Sequence, residues 1–408
     1  MGRVVTRSQR LKLLTSCNDD SNSKRCKVIS KVLLPQDLLL HILTLLPLKS
    51  LINSARYVCK SWATTIRTSQ FALACLTHSK PGLFVQNHQH RTAYFLDIKD
   101  CVNGQFEFER TGMVTILGKV VIYDSCNGIL LLLLPNERLK QIQPCLVNPI
   151  TKSCFRTPPL PRTPQRPFRL FFESTLVCVP YTAKFKLFFL DIQDVSGVDY
   201  YVFYVLTIGI GNSWREIDRK KVPYGGSYWQ PLYGGGNYLY WITGGDHAVT
   251  VVDVDKEITA GKFSLPPVPM YCAVEDVETF FTNMNTKFLW MGNQLSCIVI
   301  KDFKTFKIYL LDFESGKWSL YHDMGHFDCV AASGHEFIIC DICCWIHDQI
   351  IFSLFSKERK RHLDRIINNL HFSYSVKTRK LTKIEGISMG DQVRLHTNSL
   401  ISLPSTPT

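Results

Sequence analysis

No apolar run in this 408-residue chain approaches the roughly 18 to 20 residues that a bilayer-crossing helix needs; the longest leucine stretch is "GILLLLLP" at 128–135. The opening "MGRVVTRSQRLKLLTSCNDDSNSKRCK" also lacks an apolar stretch of signal-peptide length, and residues 1–31 read as a basic, disordered tail. The expectation is a soluble protein of the nucleus and/or cytoplasm. Disulfide-framework spacing is missing from the 15 cysteines, which fall inside apolar runs such as "LVCVP" and "FIICDICCW" and read as reduced, buried thiols. Dense basic clusters are few for a net charge of +13: "KRCK" and "KERKRH" stand alone and read as solvated surface, so nucleic acid is not the expected partner.

Catalytic signatures are missing as well. The chain has no nucleophile elbow, Walker loop or HExxH helix. "GIGNSW" (209–214) lacks the third glycine of a dinucleotide fingerprint and reads as a turn. Cys340, Cys343 and Cys344 form a CxxCC cluster with no second ligand pair at zinc spacing, in an apolar strand where cysteine acts as a small hydrophobe. "NHQH" (87–90) reads as a polar loop. The sequence therefore implies no metal, no cofactor and no catalytic residue.

What is present divides in two. "LPQDLLLHILTLLPLKSLINSARYVCKSW" (34–62) spaces Leu34, Leu38, Leu39, Ile42, Leu43, Leu45 and Leu46 as a helix, with Pro35 in its first turn and Pro47 as its stop. A second helix is predicted from Ser50, carrying Leu51, Ile52, Ala55, Val58, Cys59, Trp62 and Ile66, and a third over "SQFALACL" (69–76). Helices this short gain stability only by packing an apolar face. Their leftover apolar surface suits either a cap on the rest of the chain or a partner protein.

The order "LPxDLLxxILxxLPxKSL" followed by "VCKSW" resembles the F-box. That resemblance implies a three-helix unit over 32–78 docking on a Skp-type adaptor, and through it on a cullin scaffold. The implied contacts are Leu34, Pro35, Leu38, Ile42, Leu43, Leu46, Pro47, Leu51, Val58, Cys59 and Trp62. Between Lys49 and Val58 the chain is one residue longer than the commonest family spacing. One residue turns a helix face by about 100°. Either the turn near 48–52 absorbs the insertion or the contacts of Leu51 shift.

From about residue 80, short runs rich in Val, Ile, Phe, Tyr and Trp alternate with Gly, Asn, Asp and Pro, the pattern of strands and turns. A weak repeat underlies them: strand, polar turn, then a bulky residue. Copies end near Phe106, Phe155, Trp214, Ile258, Trp318 and Leu381. A spacing of roughly 45 to 65 residues suits four-stranded kelch-type blades. The expected fold is α+β and multidomain: the small helical unit, then a mainly β domain over 80–390, six- or seven-bladed as a propeller, with a pair of β-sandwiches as the alternative. "HTNSLISLPSTPT" is expected to fray, making 391–408 a flexible tail.

"YDSCNGILLLL" followed by "LVNPITKSCFRTPPLP" further resembles the F-box-associated region of plant F-box proteins, whose remainder is kelch-like. Asn127-Gly128 and Asn148-Pro149 in those phrases are turn formers in their own right. Together the resemblances imply a non-catalytic substrate receptor of a ubiquitin ligase. A β-propeller enzyme, or a ligase-independent binding module with the helices as a cap, remains the alternative. The glycine- and aromatic-rich "YGGSYWQPLYGGGNYLYW" (224–241) offers Tyr228, Trp229 and Tyr233 as candidate target contacts.

Overall fold

The computed structural model describes residues 35–87, 92–99, 107–115, 121–136, 141–161, 174–180, 182, 184–210, 213–222, 228–243, 247–267, 286–301, 305–325, 336–360, 363–387 and 391–404. The chain divides into two compact units, Met1–His41 and Ile42–Thr408, with the division inside the first helix.

That helix, α1 (Gln36–Thr44), places Asp37 in its first turn, where a carboxylate meets the positive end of the helix dipole. The single second helix expected from Ser50 is instead three pieces: α2 (Leu48–Asn53), a 3-10 turn (Ala55–Tyr57) and α3 (Lys60–Ile66). Pro47 precedes α2 directly, since a proline needs no amide donor there. Cys59 takes an extended conformation and its sulfur accepts from the Trp62 amide, which caps α3 and breaks the run. The third expected helix is α4 (Ser69–Leu76), capped by Thr68 Oγ1 accepting from the Phe71 amide at 3.2 Å.

The remainder forms six four-stranded antiparallel sheets. Blade 1 holds β1 (Gly82–Asn87), β2 (Thr92–Lys99) and β3 (Glu107–Thr115). Blade 2 runs β4 (Val121–Cys126), β5 (Ile129–Asn136), β6 (Gln141–Val147) and β7 (Cys154–Arg156). Blade 3 runs β8 (Ser174–Val179), β9 (Lys184–Val195), β10 (Val198–Thr207) and β11 (Arg215–Lys221). Blade 4 is β12 (Tyr228–Tyr233), β13 (Tyr238–Thr243), β14 (Ala248–Asp253) and β15 (Ile258–Ser264). Blade 5 is β16 (Thr286–Met291), β17 (Gln294–Lys301), β18 (Thr305–Leu311) and β19 (Trp318–Met324). Blade 6 is β20 (Glu336–Ile346), β21 (Gln349–Lys360), β22 (Leu363–Ser375) and β23 (Leu381–Lys383). The last strand, β24 (Gln392–His396), returns to pair with β1, so blade 1 is closed by both ends of the domain.

The strands β24, β4, β8, β12, β16 and β20 each meet the next, and β20 meets β24. This closed ring makes the body a six-bladed β-propeller rather than two sandwiches. Radial repetition leaves each blade only one outer strand as an edge, a short and protected one, which limits edge-to-edge aggregation. The five repeat landmarks among the described residues, Phe155, Trp214, Ile258, Trp318 and Leu381, each lie at the hairpin joining the third and fourth strands of their blade, or just beside it. The 100–106 turn itself lies outside the described residues.

The leucine run of β5 is explained by this architecture. Ile129, Leu131 and Leu133 pack into the core between blades 2 and 3, while Leu130 and Leu132 pack into the core between blades 1 and 2. A middle strand buried on both faces reads as a continuous apolar run instead of alternating. An equivalent apolar core sits between each successive pair of blades.

Residues 391–404 are not a frayed tail. Beyond β24 the chain lies along blade 2, where the buried Asn148 side chain donates to the carbonyls of Ser399 (3.1 Å) and Ile401 (2.6 Å). Ile401 and Leu403 enter the core between blades 2 and 3, and Ala72 of α4 enters the same core. The strap is held because buried carbonyls and apolar side chains find partners there, which its short polar and apolar alternation does not reveal.

Candidate functional site

The residues implied as adaptor contacts fall into two groups. Pro35, Leu38, Ile42, Pro47, Val58 and Cys59 are exposed, and Leu46 and Trp62 are half-buried. Leu43 and Leu51 are instead fully enclosed, at 0% and 1% exposure. On α1, Leu39 and Leu43 recur one turn apart on the buried side, which leaves Leu38, Ile42 and Leu45 outward. Leu43 and Leu51 thus hold the helices together rather than present themselves to a partner. Leu34 lies outside the described residues.

Leu45 and Tyr57, 60% and 68% exposed, were not among the expected contacts. Residue type alone does not assign a leucine to a buried or an outward face. The 3-10 turn turns Tyr57 and Val58 to solvent. Exposed side chains of this kind cost the isolated chain water contact with apolar surface, a cost a partner removes at about 25 cal/mol per Å² covered.

The propeller offers a second candidate. A cavity of about 630 Å³ opens between blades 4 and 5, lined by Tyr240, Trp290, Phe263 and Phe313 with the Gly234–Gly236 hairpin and Gly261. Tyr240 meets Trp290 edge-on at 5.1 Å, and Trp290 stacks on Phe313 at 6.2 Å. Gly234 lies against the Trp290 ring, and a Cβ there would fall 2.3 Å from it. Only glycine permits that approach. The lining carries no Asp, Glu, Lys, Arg or His, and Asn237 and Asn293 supply its side-chain amides.

The expected target contacts lie close by. Tyr228 and Trp229 are on β12, and their side chains lie outside the described residues. Tyr233 is drawn inward: its hydroxyl donates to the Cys178 carbonyl of blade 3 at 2.5 Å, with the Gly236 carbonyl at 3.0 Å. Burial pushes its pKa up. Tyr233 therefore ties blade 4 to blade 3, since a buried hydroxyl without a partner would be costly. The pocket aromatics were missed because Tyr240, Trp290, Phe263 and Phe313 come from separate hairpins, with no local spacing to link them.

The ring of first strands carries the ionisable groups that an axial active site would use. Asp124 accepts from Thr175 Oγ1 (2.8 Å) and from the amides of Leu176 (2.9 Å) and Ser125 (2.7 Å). Burial, outweighing these bonds, raises its pKa. Lys287 pairs with Asp341 at 3.1 Å. Burial likewise holds the Cys343 thiol well above the usual range, which disfavours the thiolate a nucleophile needs. Among the described residues no group of three or more His, Cys, Asp or Glu could hold a metal ion. The side chain of Cys340 and the 88–90 loop lie outside the described residues, and so do "KRCK" and the side chains of "KERKRH".

A protein-family model described as the F-box domain matches residues 32–73. No curated protein matches the sequence. Among solved structures, the chain is similar to TolB from Acinetobacter baumannii, at 9% identity over 81% of this chain and 70% of that one, with a TM-score of 0.39. The periplasmic gluconolactonase of Pseudomonas aeruginosa gives 10% identity over 79% and 99%, with a TM-score of 0.40. Neither likeness bears weight; the six sheets and their closed ring establish the fold. An F-box implies binding of a Skp-type adaptor. Residues 32–73 are an F-box domain, and the chain continues from it into a six-bladed β-propeller.

Proposed function

We propose that this chain is the substrate-recognition subunit of a Skp-cullin-F-box ubiquitin ligase, without catalytic groups of its own, acting in the nucleus and/or cytoplasm. The observation that carries the reading is the F-box match at 32–73 together with the apolar side chains of Ile42, Leu45, Tyr57 and Val58 left at the surface. Through the adaptor the chain is tethered to a cullin scaffold, and the propeller, read as the kelch-like region of plant-type F-box proteins, presents a target. Tethering raises the effective concentration of the target near charged ubiquitin, which requires no chemistry from this chain. The packing of Ala72 of α4 beside Ile401 and Leu403 in the propeller core supports a fixed geometry between the end of the F-box and the target-holding body.

The target seat is the aromatic cavity between blades 4 and 5. Its volume is that of a ligand site, and its uncharged aromatic lining offers an apolar anchor contact area and a charged anchor no ionic partner. The occupant is an apolar or aromatic side chain of an extended target segment, with Asn237 and Asn293 available to its main chain.

Binding of purified Skp-type adaptor to the full chain tests the first part. The parent binds; a double variant Ile42→Asp, Val58→Asp stays folded and does not. Undiminished binding by the folded variant would overturn the receptor reading. For the seat, peptide arrays are probed with the parent and with Gly261→Leu, whose Cβ meets no atom within 4 Å, so that the new side chain starts from open space in the cavity lining. Parent selection of apolar anchors, lost in the variant, supports the seat. Selection of charged anchors refutes it.

A further inference from the structure

The thiols of Cys145 and Cys154 lie 3.3 Å apart, sulfur to sulfur, on the paired strands β6 and β7. In the ladder, Cys145 faces Arg156 and Val147 faces Cys154, so the two cysteines are diagonal neighbours across the strand pair. Both are free thiols; Cys145 is buried and Cys154 is exposed. A disulfide has sulfurs about 2.05 Å apart, so closure requires a movement of roughly 1.3 Å.

We propose that Cys145 and Cys154 are an oxidation site that closes to a reversible disulfide on exposure to hydrogen peroxide. The exposed Cys154 sulfur attacks the peroxide, the O–O bond breaks, and Cys154 becomes a sulfenic acid as water leaves. The Cys145 sulfur then attacks the Cys154 sulfur, the S–O bond breaks, and the hydroxyl departs as water with the Cys145 proton. In sum, two thiols and one peroxide give one disulfide and two waters; the sulfurs are oxidised and the peroxide is reduced.

The order of events follows from the surroundings. Burial, with Cys154 beside it, pushes the Cys145 thiol up to about 12, so it stays protonated and acts second. A diagonal pair closes under some strain, and strained or exposed disulfides are the readily reduced ones. The segment enclosed by the bond is the 148–153 hairpin that clamps the C-terminal strap. Asn148 holds Ser399 and Ile401, and Ser153 Oγ accepts from the Leu403 amide at 3.0 Å. Oxidation therefore stiffens the clamp on the strap, which shares a core with α4. This inference does not depend on what the propeller binds.

The test is mild peroxide treatment of the folded full chain, alkylation of remaining thiols, and peptide mapping by mass spectrometry. The expected result is a linked peptide containing Cys145 and Cys154, absent in Cys154→Ser and in Cys145→Ala, and dissolved by dithiothreitol. Limited proteolysis of the oxidised parent should also cut the 397–404 strap several-fold more slowly than in the reduced protein. Cys154 recovered as sulfinic or sulfonic acid beside an intact Cys145 thiol would overturn the proposal. So would a bond from Cys154 to a different cysteine.

Discussion

The Asn148 side-chain nitrogen donates to the Ile401 carbonyl at 2.6 Å across 253 residues of chain. The same side chain organises its own hairpin, its oxygen accepting from the amides of Ile150 (2.8 Å) and Thr151 (3.2 Å). One buried amide thus shapes a turn and secures the strap that follows the ring-closing strand. Asn148→Ala takes the donor from the Ser399 carbonyl and leaves the Ile401 carbonyl with only the longer bond from Thr151 Oγ1 at 3.4 Å, at a cost of about 1–3 kcal/mol for a carbonyl left unsatisfied. Urea denaturation should show a clear loss of stability, and proteases should release the strap before the blades unfold. A variant with parent-like stability and an uncut strap would contradict this account.

Gly128 sets a second test at the same place. Its φ is +83°, and an added Cβ would lie 2.1 Å from Ser399 Oγ and 2.8 Å from the Ser399 amide nitrogen. Gly197 has a similar φ of +78° and open space around it. Gly197→Ala should cost only the left-handed backbone penalty of ~1–2 kcal/mol, whereas Gly128→Ala adds displacement of the strap. Equal thermal midpoints for the two variants would show that the strap does not press on this turn.

In the F-box, enclosed leucines stand apart from the exposed apolar side chains proposed to dock on the adaptor. Leu43→Ala and Leu51→Ala empty fully enclosed positions and should cost about 2–5 kcal/mol of local stability. Ile42→Asp and Val58→Asp alter surface positions, should change stability by about 0.5 kcal/mol or less, and should abolish adaptor binding. Circular dichroism melts paired with adaptor titrations measure both effects. Loss of binding without loss of stability in Leu51→Ala would return that residue to the contact set.

Acid should loosen the propeller through two histidines. Burial depresses His396 and His371 from 6.5 to about 4. His396 Nδ1 is paired with Ser125 Oγ at 2.8 Å, and its Nε2 is enclosed without a partner. Above pH 6.5 neither folded nor unfolded chain is protonated at these sites, and their stabilising contribution is complete. As pH falls from 6.5 towards 4, the unfolded chain takes up protons that the folded one refuses, so stability declines, by up to ~3 kcal/mol per group. Urea midpoints at pH 7 and pH 5 should differ, and His396→Gln should flatten the difference. Identical pH slopes in parent and variant would rule out His396 as a source.

The F-box was legible because its motif is local. Pro35, Ile42, Pro47 and Val58 fall within one short segment, and their order along it carries the pattern. The blades were legible as strands and turns for the same reason, and the polar turns ending at Phe155, Trp214 and Trp318 exposed the repeat. The aromatic cavity was not legible. Tyr240 and Trp290 are fifty residues apart, and the same aromatic residues serve equally well in an inter-blade core, as Trp241 does beside Tyr240. Tyr233 looked like a surface contact for a related reason: a glycine-rich neighbourhood does not reveal which way a tyrosine hydroxyl turns.

By itself the sequence determined that a unit of short helices precedes a β body and that the β body repeats, because periodicity, turn residues and proline act over a few neighbouring positions. Tertiary structure alone decided the number of blades, the inward turn of Leu43 and Leu51, and the fate of residues 391–404. Each of those depends on partners far away in sequence. A ring closes only when β24 reaches β1, and the segment after it becomes ordered only where a distant buried amide donates to its carbonyls and an apolar cleft takes up its side chains.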